Sequence, residues 1–557
     1  MIKKIFGNYK IWLFLIVFLA GILRFYQIDK IPVSLYWDEA ASSYNSYSIA
    51  QTGRDEYGNF MPLLFRSFED YKMPGNIYLT AISVKLFGLN EFATRFSSAF
   101  LGVLTVLITY FLAYKLIEKK KVALLASFLL AISPWHIQFS RTGFEANVGL
   151  FFVVLGIWLF LKGLNQHKWY IFSMFIFGIS LYFYRSIHVF LPLMIIALFI
   201  TCKEDLFKRM NRRLLILGVI VLIIIAIPIF SESFSKNGLR RAMQVNVFTN
   251  SNAEVASYVK SAHESGLDQL NKIFYNRRYV FLRKVIDNYL VHFGPRFLFI
   301  NGDGNGRHGV VGLGLLYIWE LPFLLIGILS VLKIRSKFKN IIFIWFALAP
   351  IPAALSLPAP HALRDLNVLP VPQMLVAVGI FTIVSLFRNK RRFLFIAFLS
   401  LTVVFFFSRY LFIYYTVTAK IKSSDWADGY KQLASYVLVR ESSYDKVIIS
   451  GHYWEPYVYF LFYKKYDPEL YQKSGSSYGF GKYIFGGTSW DKDKNSQELG
   501  DVNLREFAKT SGRLLVALSP QEYDTQKKNI NKLTEIKNHN NEMIFIVGEV
   551  DLPHKIF

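Results

Sequence analysis

The chain has 557 residues, of which 54% are hydrophobic and 17% aromatic, with 53 Phe and a mean hydropathy of +0.34; this excludes an ordinary water-soluble globular domain. Its net charge of +25 would suit a nucleic-acid partner, but basic residues at the cytoplasmic ends of membrane spans account for it, and no nucleic acid is expected. A single cysteine, Cys202, excludes an intrachain disulfide and a cysteine zinc site, and fits a plain reduced thiol.

Residues 11–25 follow Lys3 and Lys4 and run on without a small-residue cleavage site, which predicts an uncleaved anchor rather than a removed signal. Mostly apolar segments recur at 97–116, 145–161, 168–183, 186–202, 214–230, 313–332, 341–357, 366–387 and 393–415, with a shorter one at 122–133. Together they predict an all-α polytopic membrane protein of roughly eleven spans.

Topology follows from the basic residues. Threading the spans alternately from a cytoplasmic Lys3, Lys4 and Lys10 puts every later cluster on that same side. These clusters are Lys115 with Lys119, Lys120 and Lys121; Lys162 with Lys168; Lys203 to Arg213; Lys333 to Lys339; and Arg388 to Arg392. The opposite side receives 26–96, 134–144, a turn near 184, 231–312, 358–365 and everything after 415. Segment 77–88 is apolar but too short to span, so it reads as an interfacial or re-entrant helix. Segment 251–299 predicts further surface helices.

The tail is more polar. Strand-like runs at 446–450, 513–518 and 543–549, with helical patterns at 428–441 and 521–534, predict a small soluble α/β domain outside the cytoplasm. The expected division is thus a membrane domain over 1–415 and an α/β domain over 416–557.

Chemistry-bearing residues gather in the outer loops. The first loop opens with Trp37-Asp38-Glu39-Ala40-Ala41, two adjacent carboxylates at the start of a helix-like stretch. Such residues serve catalysis or simply favour a helix N-terminus. Neighbouring helical positions point apart, so both are not expected to serve one reacting atom equally. Then comes Tyr71-Lys72-Met73-Pro74-Gly75-Asn76, and Glu91-Phe92-Ala93-Thr94-Arg95 heads the second span. Lys72 and Arg95 read either as ligand-binding cations or as interfacial anchors.

This first-loop pattern of Asp-Glu, Lys-x-Pro before a short apolar helix, and Arg heading the second span resembles glycosyltransferase family 39. That family includes the dolichyl-phosphate-mannose protein mannosyltransferases and, more distantly, the aminoarabinose transferases acting on lipid A. The resemblance covers about the first 200 residues and implies the GT-C membrane fold. It implies that Asp38 matches the catalytic carboxylate, and that Lys72 matches a lysine contacting the lipid phosphate. Tyr71 stands where the lipid A enzymes carry an acidic residue. Arg95 matches the arginine heading the second span, and Glu145 sits where relatives carry a second acidic residue. Glu145 also has the i,i+4 spacing to pair with Arg141.

Later outer loops add Asn301-Gly302-Asp303-Gly304-Asn305-Gly306-Arg307-His308 and Pro360-His361-Ala362-Leu363-Arg364-Asp365. The glycine-rich run could cradle a phosphate or be only a loop. An arginine at a span end can bind phosphate through two parallel hydrogen bonds. Arg307, His308, His361 and Arg364 are therefore candidate substrate-binding residues beside Lys72, Arg95 and Glu145, with Asp38 and Glu39 as candidate catalytic residues. The aromatic residues Trp454, Tyr457 and Tyr459 of the tail suit glycan stacking less well than their own core.

The expected activity is transfer of a sugar from a polyprenyl-phosphate carrier to a protein, lipid or glycan hydroxyl outside the cytoplasm of the cell membrane. Asp38 would act as general base with inversion. No cofactor is expected; the paired carboxylates would allow a divalent metal, but the resemblance favours none. Two alternatives are an O-antigen ligase or polymerase, and a lipid-linked sugar transporter or flippase. A transporter would place ionisable residues near the bilayer midplane, whereas here they lie almost wholly at span ends.

Overall fold

The computed structural model describes residues 8–68, 70–264, 276–334, 336–453, 455–491, 496–504 and 512–552. The chain divides into two compact units. One comprises 1–26, 63–76 and 97–413; the other comprises 27–62, 77–96 and 414–557. Most of the first loop therefore belongs with the tail, although the sequence places it with the membrane domain.

The first unit is helical. Helix α1 (Tyr9–Phe25) begins it, and a hairpin of β1 (Phe65–Ser67) and β2 (Asp70–Lys72) follows, pairing Phe65 with Lys72. The 27-residue apolar helix from Glu91 to Ile117 enters this unit. A bent pair comes next, Lys120–Ala131 and Pro134–Ser140, turned by 56° where Ser133 and Pro134 interrupt the helical bonding. Helices over Glu145–Gly163, Lys168–Ser180, Arg185–Thr201 and Arg212–Ser233 continue it. Helices at Asn252–His263 and Arg277–Val291 match the surface helices expected within 251–299.

Among the described residues five helices are long and apolar enough to cross a bilayer, or six if the bent pair counts as one span. Four more apolar helices, Lys168–Ser180, Arg185–Thr201, Glu320–Val331 and Lys339–Ala354, are shorter. The count of roughly eleven is thus not reproduced at full length. A 17-residue helix rises only about 26 Å against a hydrocarbon core of about 30 Å. The expected span at 313–332 becomes helical only from Glu320, and the one at 341–357 is interrupted at Ala349-Pro350 and ends as a helix at Ala354.

Two fully buried arginines tie this unit together. Arg24 donates to the Leu130 and Ala131 carbonyls and contacts His136 Nδ1 at 2.6 Å; Arg141 donates to the Leu23 carbonyl at 2.9 Å. Helix ends carry carbonyls without intrahelical partners, and these guanidinium groups satisfy them.

In the second unit, α2 (Trp37–Thr52) carries the paired carboxylates and α3 (Pro74–Phe87) enters as the short apolar helix. At 14 residues, α3 rises about 21 Å, too little to span. The tail forms a six-stranded mixed sheet. Its strands are β3 (Lys446–Ile449), β4 (Gly479–Phe480), β5 (Tyr483–Phe485), β6 (Gly512–Leu518), β7 (Asn531–Lys537) and β8 (Met543–Leu552). They lie in the order β4-β5-β3-β6-β8-β7, with β3 parallel to both β5 and β6. Ile448, Leu514, Val516, Leu518 and Val550 form the core of this sheet. All three strand-like runs are strands, and the pattern at 428–441 is a helix over Tyr430–Arg440.

The helix expected over 521–534 stops early. A capping box between Ser519 and Glu522 starts it at Pro520, but it ends at Gln526 and Asn531–Lys537 becomes the edge strand β7. Pairing with β8 outweighs the local helical pattern there.

Candidate active site

Asp38 and Glu39 occupy the first turn of α2 and point apart, as neighbouring helical positions must. Asp38 is half-buried, whereas Glu39 is buried. Both Glu39 oxygens are taken by Arg95: Nε donates to Oε1 at 3.0 Å and Nη2 to Oε2 at 3.0 Å. Arg95 also donates through Nη1 to the carbonyls of Ile28 (2.9 Å) and Pro32 (3.0 Å), and through Nη2 to that of Ser34 (2.6 Å).

Those five bonds use all five N–H groups of a guanidinium. Arg95 therefore has no donor left for a substrate, which corrects its expected binding role. It fixes the loop before α2 instead. Glu39 is likewise a neutralised positioning group rather than an available base. Asp38 remains the more accessible of the two carboxylates.

The rest of α2 is unusually polar. Ser43 donates to Thr94 Oγ1, Ser46 to the Ile77 carbonyl, and Asn45 exchanges bonds with Glu56 through its side chain and backbone. Burial of so many hydroxyl and amide groups is affordable only with such partners.

In the first unit, Lys72 ends β2 and forms an ion pair with Asp70 at 3.5 Å. The carbonyl of Tyr71 accepts from Arg185 at 3.1 Å. Gly75 donates to the Tyr182 carbonyl, and a Cβ there would lie 2.8 Å from the Phe183 ring and from that carbonyl oxygen. The Lys-x-Pro-Gly segment thus needs glycine because another backbone passes against it. Arg185 and Asp70 were not among the sequence candidates. Asp70 lies two residues from Lys72 in a strand, hence on the same face, which is the signal that was available.

A second cluster joins the two later loops. Asp303 Oδ2 accepts from His308 Nδ1 at 2.8 Å and from the Ala362 backbone at 2.7 Å, with His361 Nδ1 3.9 Å away. The His361 backbone donates to His292 Nε2 at 3.1 Å. Arg364 donates through Nη1 to Ser356 Oγ (2.9 Å) and the Leu357 carbonyl (2.8 Å). Gln138 and Trp135, on Pro134–Ser140, hold the carbonyls of Arg307 and Ala362 respectively.

Burial would push the Asp303 carboxyl up, but the His308 hydrogen bond and the nearby histidines outweigh it and bring it down to about 2. Burial lowers His292 to about 4. Among the described residues, Asp303, His308 and His361 are the group that could hold a metal ion, their donor atoms lying within 4.8 Å of one another. Two imidazoles and a carboxylate suit a zinc-like ion.

Glu145 starts the helix Glu145–Gly163 and is half-buried. Tyr457 and Tyr459 are buried in the tail, and Tyr459 stacks on Tyr430 at 4.1 Å, so they pack rather than present a glycan surface. Trp454 lies outside the described residues.

Residues 72–231 match the family described as dolichyl-phosphate-mannose-protein mannosyltransferase. The chain superposes on ArnT from Cupriavidus metallidurans, in the apo state and bound to undecaprenyl phosphate. The TM-score is 0.55 in each case, at 14% and 13% identity, covering 97% of this chain and 97% and 98% of ArnT. The chain has the fold of ArnT. The expected resemblance to the protein mannosyltransferases is thus met in sequence over residues 72–231, and the likeness to ArnT lies in the fold. It is also 27% identical over 207 residues to YkcB of Bacillus subtilis (strain 168), named as a candidate mannosyltransferase; this covers 35% of this chain and 27% of YkcB. An uncharacterized protein of Aquifex aeolicus (strain VF5) is 31% identical over 110 residues, covering 20% of this chain and 22% of that protein. The matched portions thus span about a quarter of these curated relatives.

Proposed function

We propose that this chain is a multi-pass membrane glycosyltransferase that moves a sugar from a polyprenyl-phosphate carrier to an acceptor hydroxyl outside the cytoplasm. The observation that carries the proposal is the division of labour at the start of α2. Glu39 is buried and neutralised by Arg95, leaving Asp38 as the more accessible carboxylate beside a fixed loop. ArnT has been solved with undecaprenyl phosphate bound, which supports a donor of that class.

In this reading Asp38 takes the proton of the acceptor hydroxyl as its oxygen attacks the anomeric carbon. The bond from that carbon to the phosphate oxygen breaks, and polyprenyl phosphate leaves with the electron pair. One displacement inverts the anomeric centre. Lys72, Arg307 and Arg364 are assigned to meet the charge developing on the phosphate, where a fixed cation lowers the barrier. No metal is assigned to this step, in keeping with the family that the sequence resembles.

The test is turnover by the purified chain in lipid nanodiscs. Undecaprenyl-phosphate-linked sugars extracted from the host membrane are supplied with acceptor extract, and released undecaprenyl phosphate is measured. Release with a product of opposite anomeric configuration supports the reading; absence of release, or retention of configuration, overturns it.

A further inference from the structure

The tail does more than follow the membrane helices, because α2 is not a helix that could hold its place unaided. Its sequence, WDEAASSYNSYSIAQT, holds four Ser, two Tyr and one Asn, which are mediocre helix formers. It nevertheless buries Glu39, Ser43, Tyr44, Asn45, Ser46 and Ser48. Part of its support comes from the first loop itself, as described above. The remainder comes from residues more than 370 positions later in the chain.

At the end of α2 farther from Asp38, the amide of Gln472 donates to Ser48 Oγ (2.9 Å), Thr52 Oγ1 (3.1 Å) and the Asp55 carbonyl (3.0 Å). Midway, the Tyr44 hydroxyl donates to the Tyr466 carbonyl at 3.1 Å, and Tyr471 meets the Tyr44 ring edge-on at 5.9 Å. At the end that carries Asp38, Trp426 is buried against the ring of Tyr36, centroids 5.7 Å apart, and faces the Arg95 guanidinium at 5.9 Å. Lys431 pairs with Glu91 at 2.6 Å, one turn before Arg95.

We infer that Trp426 and Gln472 are positioning residues for catalysis, holding the two ends of the Asp38 helix so that the tail is an integral part of the reaction centre. The inference rests on the assignment of Asp38 as base. Trp426 covers one face of Arg95, whose donors are all spent, and keeps water from the Arg95–Glu39 pair; a pair in low dielectric holds its geometry more firmly than one in water. Gln472 fixes the helix axis from the other end. A displacement of Asp38 of even an ångström costs rate rather than donor affinity.

The experiment compares full-length Trp426→Ala, Trp426→Phe, Gln472→Ala and Asp38→Asn in nanodiscs, with undecaprenyl-phosphate-linked sugars from the host membrane as donor. Trp426→Ala is expected to lower kcat at least about tenfold with donor KM within about twofold, and Trp426→Phe to restore most of the rate. Gln472→Ala, which leaves the Arg95 pair untouched, is expected to lower kcat by about threefold or more, again at unchanged KM. Folded Trp426→Ala with wild-type kcat, or a loss confined to KM, overturns the inference. If Trp426→Ala does not fold, wild-type kcat in Gln472→Ala overturns it. Failure of the underlying reading looks different: Asp38→Asn would then turn over normally.

Discussion

Arg95 and Glu39, 56 residues apart in the chain, form a bidentate ion pair in which neither side chain is exposed to solvent. Removing one partner of such a pair strands a buried charge, which costs far more than the pair is worth net. Glu39→Gln should therefore destabilise the protein by about 3 kcal/mol. Arg95→Lys should do much the same, since one ammonium cannot make five bonds in a planar fork. Denaturation in detergent, followed for each variant, checks this; unchanged midpoints would remove the pair from any role in holding the loop before α2.

Lys72→Ala should impair use of the lipid donor far more than Lys85→Ala. Lys72 belongs to the Lys-x-Pro-Gly segment, held in place through Tyr71 and Gly75, whereas Lys85 is exposed in the last turn of α3. Donor KM and kcat for both variants decide the matter. Equal losses in folded proteins would take Lys72 out of the phosphate-binding role.

Asp303→Asn should loosen the junction of the two later loops. One oxygen of Asp303 serves both His308 and the Ala362 backbone, and hydrogen bonds to a charged group contribute about 1.5–3 kcal/mol. A stability loss of about 2 kcal/mol is expected, together with faster proteolysis within 301–308 or 358–365. Limited proteolysis and thermal unfolding of the variant give the answer; a wild-type pattern in both would show that the junction does not depend on Asp303.

Much of this was legible in the sequence, for physical reasons. Apolar runs and basic flanks are local signals, so helix positions emerged; the motif singles out Asp38 and Lys72 only as candidates. Span lengths did not, because Pro350, Pro352 and the Ser133-Pro134 break decide where bonding stops within an apolar run. The fate of Arg95 was hidden for another reason. An arginine at a span end looks the same in sequence whether its donors face a ligand or five internal acceptors from 28–39. Asp303 lay in a glycine-rich run that fitted a phosphate cradle or a plain loop equally, while its partners, His308 and the Ala362 backbone, include one from a loop 59 residues away.

The first loop and the tail should react from the same, non-cytoplasmic side. Asp29 and Ser476 are both exposed, and the native Cys202 is buried, so single cysteines at the first two positions report without interference. An impermeant maleimide applied to intact cells should label Asp29→Cys and Ser476→Cys equally well. Labelling of either only after permeabilisation overturns the arrangement of the spans.

Asp38→Asn and Glu39→Gln, adjacent in sequence, should give opposite phenotypes. Asp38 lies in the first turn of α2, where a carboxylate interacts favourably with the helix dipole by about 0.3–1 kcal/mol. Asn is also well tolerated near a helix start, so if Asp38 served only the helix, its replacement would change little. If Asp38 is the base, Asp38→Asn should fold and insert normally while transfer falls by at least about a hundredfold, the scale of lost general-base catalysis. Glu39→Gln should instead lose stability, and any residual folded fraction should turn over with an unaltered pH dependence, because the group that takes the proton is still present. The measurement is sugar transfer per folded molecule from a polyprenyl-phosphate donor, with folding scored separately by size-exclusion chromatography. Near-normal turnover in Asp38→Asn would remove the base from the mechanism; a stable, inactive Glu39→Gln would move that role to Glu39 and require Arg95 to release it during the reaction.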